Sequence, residues 1–453
     1  MDNENYIDNN KPEEPIVVET TRFSDEKTNN NHKKNPTTTG IICAIVGFII
    51  GAVGILGLIK LFETPQAAVV CKECDCPGTS TASPDIDYSF LHLESASNNI
   101  IYSPLSIRNG LALLRAGANG KTKTEIDTVL GDAEITKYEN IPDKLSLANA
   151  VFIRDTFKDD ALPTYISEVQ NKLGSEIIFD PFESSANLDS WVNQKTFGLI
   201  NKIGIEPTPS LSMVLANALA IQMDWRHQFD DSDTRGKDFY KADGGAIEAT
   251  TMNMETSAED ILYYKDDATT AVSMPLDSES EDVNLEFVAI MPSSNIDDYV
   301  NAVGQTDVDK IIDNMTPASE PKDGVIINIP KFKFDYQLGF KKDLNTLGIQ
   351  SAFDAKLADF SNMASKPLYV GEAIHKANID FSEEGIKAAA VTVFAMALSE
   401  AIDPYVPQPI AINIDHPFLF LIRDKDNGTI WFTGAVYQPN LWEDDEADYQ
   451  MHY

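Results

Sequence analysis

The stretch SEEGIKAAAVTVFAMAL, Ser382–Leu398, decides how this chain is read. An acidic turn runs into Gly385 and then into small or apolar residues broken by a single lysine. The segment is too short to cross a bilayer, which takes about 20 residues. Alanine, leucine and methionine favour a buried helix. The same residues also alternate as a strand does. Ile386, Ala388, Ala390, Thr392, Phe394 and Met396 fall on one face, and Lys387, Ala389, Val391 and Val393 on the other. Local pattern fits both, so the choice falls to the rest of the chain.

The chain has 453 residues, 43% of them hydrophobic, enough for one large domain or two or three ordinary ones. Its net charge of −36 argues against nucleic acid, because phosphate binding needs a basic face. Such acidity suits a self-repelling, soluble surface. Cys43 lies in an apolar run, and Cys71, Cys74 and Cys76 cluster in VVCKECDCPG. No histidine or fourth thiol lies nearby to complete a tetrahedral zinc site. A disulfide-linked dimer through these three residues and a plain exposed spacer both fit.

Residues 1–39 are polar and poor in apolar side chains, which predicts a disordered tail. GIICAIVGFIIGAVGILGLI, Gly40–Ile59, carries no charge. At about 1.5 Å per residue it spans about 30 Å, so residues 40–60 are expected to form a transmembrane helix. The run is longer than the apolar region of a cleaved leader, which favours an uncleaved anchor. Lys27, Lys33 and Lys34 precede it and Lys60 and Lys72 follow, which places the N-terminus in the cytoplasm and the remainder outside the cell. Gly47 and Gly51 fit close packing of two anchors and fit coincidence equally. Residues 61–84 read as a Cys-containing stalk, 85–441 as the globular domain and 442–453 as a solvated acidic tail.

Within the globular part, Ser103 caps a helical pattern in which Ile107, Leu111 and Leu114 share a face. LDSWVNQKTFGLINKI carries Trp191, Lys195 and Ile200 on a second helical pattern. LSMVLANALAIQM and VNLEFVAIMP read as buried strands, VIINIPKFKFDY alternates in its latter half, and HPFLFLI with TIWFTGAVYQP reads as a closing hairpin. The mixture predicts an α+β fold. The six histidines, His32, His92, His227, His375, His416 and His452, show no metal-pair spacing, and the common hydrolase and phosphate-loop motifs are missing. A triad assembled only in space stays open at this level. No catalytic residue, metal or cofactor is expected.

Taken in order, several segments resemble the serpin family over about Asp85–Pro439. They run from NIIYSPLSIRNGLALLRAGANGKTKTEI and LSLANAVFIRD through WVNQKTFGLINKI and LANALAIQMDWRHQFD. IPKFKFDYQLGFKKDLNTLGIQSAFD, ADFSNM, LYVGEAIHKANIDFSEEGIKAAA and DHPFLFLIRDKDNGTIWFTGAVYQP complete the set. The resemblance implies three β-sheets with surrounding helices and an exposed reactive-centre loop. It further implies a protease inhibitor that acts as a suicide substrate. The protease cuts the loop, and the cut loop inserts as a strand into the central sheet.

On that resemblance the opening segment is the loop, with its hinge at Glu383, Glu384, Gly385, Ile386, Lys387, Ala388, Ala389 and Ala390. The family hinge usually has threonine or serine where this chain has Ile386, and commonly glutamate where it has Lys387. Family spacing places the reactive bond at Ser399–Glu400, with Met396, Ala397 and Leu398 as neighbours to check. No arginine or lysine lies between Lys387 and Arg423. The implied targets are therefore elastase-, chymotrypsin- or subtilisin-like serine proteases, or papain-like cysteine proteases, and not trypsin-like ones. Ser103, Ser106, Asn217 and His375 match the family's shutter beneath the opening sheet, and Trp225, Lys331 and Glu383 match its breach. The segment between Leu130 and Leu145 is short where many members carry a further helix. With the acidic surface, that argues against a polyanion cofactor. The competing expectation is a non-inhibitory member serving as a surface binding or carrier protein.

Overall fold

A computed structural model of the chain describes residues 85–94, 97–131, 138–280, 282–386 and 407–442. The expected tail 1–39, membrane span 40–60, stalk 61–84 with its cysteines, Lys387–Ala390 of the hinge, the reactive bond and residues 443–453 lie outside the described residues. Among the described residues, no helix is long and apolar enough to cross a membrane.

The helices are α1 (Ile86–Glu94), α2 (Pro104–Gly117), α3 (Gly120–Leu130), α4 (Pro163–Ser167), α5 (Ala186–Lys195), α6 (Ile296–Ala302), α7 (Gln305–Ile312) and α8 (Phe340–Leu347). Ser103 starts α2 as the sequence predicts, its Oγ accepting from the Ser106 amide at 3.1 Å, with Pro104 in the first turn. The pattern through Trp191 and Ile200 is only half a helix. α5 stops at Lys195, and Phe197 and Gly198 take positive φ values of 53° and 81°. Ile200 is still buried in the same apolar cluster as Trp191, which is why the spacing looked helical. Gly348 ends α8 at φ 114°, in the left-handed region that favours glycine.

Among the described residues, strand pairing forms three groups. The first runs β1 (Ile100–Tyr102), β19 (Ile430–Val436), β18 (Phe418–Asp424), β10 (Leu285–Pro292), β9 (Thr269–Asp277), β5 (Met223–Trp225), β16 (Gly385–Ile386), β15 (Lys376–Phe381) and β13 (Phe332–Gln337). β8 (Leu262–Lys265) joins it on β9 and carries β11 (Thr316–Pro317). The second is β17 (Ile410–Asn413), β12 (Val325–Pro330), β7 (Ala246–Thr256) and β6 (Arg235–Tyr240). The third is β14 (Glu372–Ile374), β4 (Met213–Ile221), β2 (Leu145–Arg154) and β3 (Glu176–Asp180). The expected closing hairpin is β18–β19, and the two apolar runs are β4 and β10, buried along almost their whole length. Continuous apolar residues suit strands covered on both faces.

Two ribbons cross between groups. β4 continues into β5 after Gln222, and β14 continues into β15 after His375. β14 pairs with β4 in parallel, whereas β15 pairs on its outer side with β13. The two ribbons are thus joined low down and diverge above.

Candidate functional site

Between the diverging ribbons lies a slot. At its lower end Glu372–Ile374 of β14 pair with Val214–Ala216 of β4. At its upper end β16 closes it. Ile386 pairs with Met223 of β5 on one side and Phe381 of β15 on the other, antiparallel to both. Among the described residues, Asn217–Ile221 of β4 and Lys376–Asp380 of β15 have no ladder partner on the sides facing the slot. The place of one strand is therefore held open between two formed ends. Unpaired strand edges of this kind readily take another strand.

The upper closure is built by Trp225, Lys331 and Glu383, which the structure brings together. The Trp225 indole Nε1 donates to the Ser382 carbonyl at 2.8 Å, and its amide donates to the Glu384 carbonyl at 2.8 Å. Its ring meets Phe381 edge-on at 5.1 Å. Glu383 is 3% exposed. Its carboxylate accepts from Thr234 Oγ1 at 2.7 Å and pairs with Lys331 Nζ at 2.5 Å. Burial pushes the Glu383 carboxyl up, but the hydrogen bonds from Lys331 and Thr234 and the lysine charge outweigh it and hold the group below the usual carboxylate range. A depressed acid stabilises the fold above its unfolded value of 4.5 and loses that contribution as pH falls through the lower folded value. Glu383→Gln should therefore flatten the acid limb of the stability curve below about pH 4.5. Breaking a buried pair costs about 3–5 kcal/mol, discounted here to about 2 because Lys331 keeps contact with water. Thermal midpoints measured against pH check both effects.

Gly385 has a steric role that hinge freedom alone does not convey. A Cβ there would lie 2.2 Å from the Met223 carbonyl and 2.6 Å from Asp224 Cα. Only glycine lets the two backbones approach closely enough to pair. Ile386 follows and is 3% exposed, packed in one apolar cluster with Met223, Leu219, Ile379 and Phe381. The unusual isoleucine is thus seated in the core of the closure.

Lower in the slot, Ser103, Ser106, Asn217 and His375 are all buried. The Ser103 amide donates to His375 Nε2 at 2.9 Å, so the neutral ring carries its proton on Nδ1. Burial lowers the histidine from its usual 6.5 to about 3, because no partner compensates a charge there. Asn217 Nδ2 donates to Asn149 Oδ1 at 2.7 Å, across the directly paired positions of β4 and β2. Within this group Ser106 Oγ, Asn217 Oδ1 and His375 Nδ1 have no hydrogen-bond partner among the described residues. Buried polar groups are normally paired, so these atoms are conspicuous.

Sequence reasoning missed Asn149, Thr234 and Gly110. Gly110 makes room for the Asn217 amide, since a Cβ there would lie 2.7 Å from Nδ2. Asn149 had a legible signal. It sits in LAN within an apolar strand, as Asn217 does. Among the described residues, no group of three or more His, Cys, Asp or Glu side chains is arranged to hold a metal ion.

A model of the family described as "Serpin (serine protease inhibitor)" matches residues 88–439. Serpin-Z7 of Hordeum vulgare is 29% identical over 380 residues, covering 76% of this chain and 91% of that protein. Iripin-2 of Ixodes ricinus is 29% identical over 364 residues, covering 75% and 87%. Among solved structures, the thermophilic serpin tengpin in its native state superposes with a TM-score of 0.66 at 23% identity, covering 84% of this chain and 96% of that one. Thyroxine-binding globulin in complex with thyroxine superposes at 0.65 and 22% identity, covering 79% and 99%.

Proposed function

This chain belongs to the serpin family, and from that premise we propose that it is a suicide-substrate protease inhibitor tethered to the outer face of a membrane through residues 40–60. The slot between β4 and β15 carries the inhibitory reading. Continuing the register of β16 downward gives the cut loop a defined place in it. Ala388 would stand between Ile221 and Ile379, Ala390 between Leu219 and Ala377, and Thr392 between Asn217 and His375. Their side chains would face the core that already holds Ile386. Small residues let a strand enter without displacing that core. Thr392 brings a hydroxyl to the two shutter residues whose buried atoms lack partners, able to donate to Asn217 Oδ1 and accept from His375 Nδ1–H. Lys387 would stand beside Asp380, so the second departure from the family hinge meets an opposite charge.

The reactive bond is proposed at Ser399–Glu400, and the targets are the elastase-, chymotrypsin-, subtilisin- or papain-like proteases named above. The anchor, its orientation and a disulfide-linked dimer through the stalk belong to the same proposal. Tethering would concentrate the inhibitor at the cell surface.

The test is to incubate the protein with each of those proteases and with trypsin, on a denaturing gel, and to determine the mass of the released C-terminal peptide. A denaturant-resistant complex is expected with at least one enzyme other than trypsin, and the cut should fall within Ala395–Asp403. Cleavage by all without a complex, and little gain in thermal stability after cleavage, would favour a non-inhibitory binding protein instead.

A further inference from the structure

Two carboxyl groups meet beneath the lower end of the slot, outside the breach and shutter. Glu94 ends α1, and Asp343 stands in the first turn of α8, 1% exposed. Both reach the space above Gly339. A Cβ built on that glycine would lie 3.4 Å from Glu94 Oε1 and 3.8 Å from Asp343 Oδ2. The other Glu94 oxygen accepts from the Tyr336 hydroxyl of β13 at 2.6 Å. Among the described residues, Asp343 Oδ2 accepts no hydrogen bond. Two ionised carboxylates in contact repel, which favours a proton on Asp343 beside Glu94. Burial first, and then the contact and charge of Glu94, push Asp343 up to about 7, while Lys342 on its own helix opposes the shift. The groups facing Asp343 are Glu94 from α1, Tyr336 from β13 and Lys342. His375 stands beyond Phe340, whose ring centroid lies 6.0 Å from the imidazole.

The cluster joins parts that loop insertion would separate. α1 packs on α2, α6 and β19, and α2 in turn packs on β2 and β4, on the opposite side of the slot from β15. Tyr336 is on β13, which pairs with all of β15, and α8 packs on β14. For a strand to enter, β14 must part from β4, and β13 and β15 must move with it. We propose that Glu94, Asp343 and Tyr336 form a proton-operated clasp tying β13 and the α8–β14 unit to α1, and that loss of the Asp343 proton frees the slot to widen. The consequence for the slot rests on the inhibitory reading above; the clasp itself does not.

The experiment uses the full-length chain in detergent at about pH 6 and about pH 8, which bracket ordinary cytosolic and extracellular values. Hydrogen exchange of the segment 332–347, corrected for intrinsic pH dependence, reads the clasp directly. Opening should be about tenfold faster at the higher pH, the change in ionised fraction of a group titrating midway. Asp343→Asn and Glu94→Gln each replace one carboxyl by an amide that donates to the other, so either should stay slow at both pH values. Wild-type exchange that ignores pH, or variants that keep the wild-type ratio, overturns the clasp. Uptake of a fluorescent peptide with the sequence Gly385–Phe394 is measured in parallel and should follow the same ratio. Exchange that responds to pH with no uptake at either value leaves the clasp standing and rejects the slot reading. Uptake that ignores pH while exchange responds overturns the clasp's control of the slot.

Discussion

Ala390→Asp is expected to abolish the denaturant-resistant complex while leaving cleavage of the loop intact. If the register that β16 sets continued into an inserted loop, residue 390 would stand between Leu219 and Ala377, which are 7% and 1% exposed. An aspartate there would bring a carboxylate into apolar surroundings with no donor to meet it. Burying an unpaired charge costs several kcal/mol, and about 1.4 kcal/mol is a factor of ten. The inserted state should therefore lose about two to three decades in favourability, enough for deacylation to outrun insertion. The protease would leave active, with the inhibitor cut. The measurement is the ratio of complex to cleaved product, followed by active-site titration of the enzyme. Undiminished inhibition by the variant would sink the insertion mechanism for this chain.

The second large effect is expected at acid pH and traces to His375. The ring is neutral in the fold, with a value near 3 against about 6.5 unfolded. A depressed value means that the unfolded chain binds the proton first. Stability is therefore full above about pH 6.5 and falls as the medium is acidified toward 3. Each unit of difference corresponds to about 1.4 kcal/mol, so the loss across that window is of the order of 4–5 kcal/mol. The structural reason is specific. A proton on Nε2 would remove the acceptor that the Ser103 amide uses, and would place a charge among orphaned polar atoms. His375→Asn keeps an acceptor and cannot titrate, so its denaturation midpoint should fall less steeply between about pH 6.5 and 4 than that of the wild type. Equal slopes for the two proteins would remove His375 as the cause.

This acid effect and the proposed clasp occupy different windows. His375 stays neutral in the fold across the range where Asp343 would lose its proton. The two are separable in one pH series, since Asp343→Asn should leave the acid limb unchanged and His375→Asn should leave the neutral one.

Much of the frame was legible because it depends on near neighbours in the chain. Ser103 and Pro104 specify the start of α2 through groups within one turn. The apolar run of β4 and the pair HPFLFLI and TIWFTGAVYQP specify buried strands and a hairpin through composition and spacing. Asn217 was reached only through the family resemblance, and Asn149 was missed although an amide within an apolar strand must find a partner. α5 was over-read because Ile200 keeps a helical spacing after the helix has ended. Burial against Trp191 preserved the pattern while the backbone turned away.

For the opening segment, the sequence by itself determined small size, alternation and a glycine at the right place, which permit a strand without forming one. A strand exists only through its partners, and those of Gly385 and Ile386 come from β15, a few residues back, and from β5, far from them in the chain. Only the tertiary structure showed that Gly385 must be glycine because two backbones meet there, and that Ile386 is already seated in the core. It alone brought Glu94 against Asp343. Periodicity reports which face of an element is apolar, whereas contact between distant charges depends on how whole elements pack, and no local pattern encodes that.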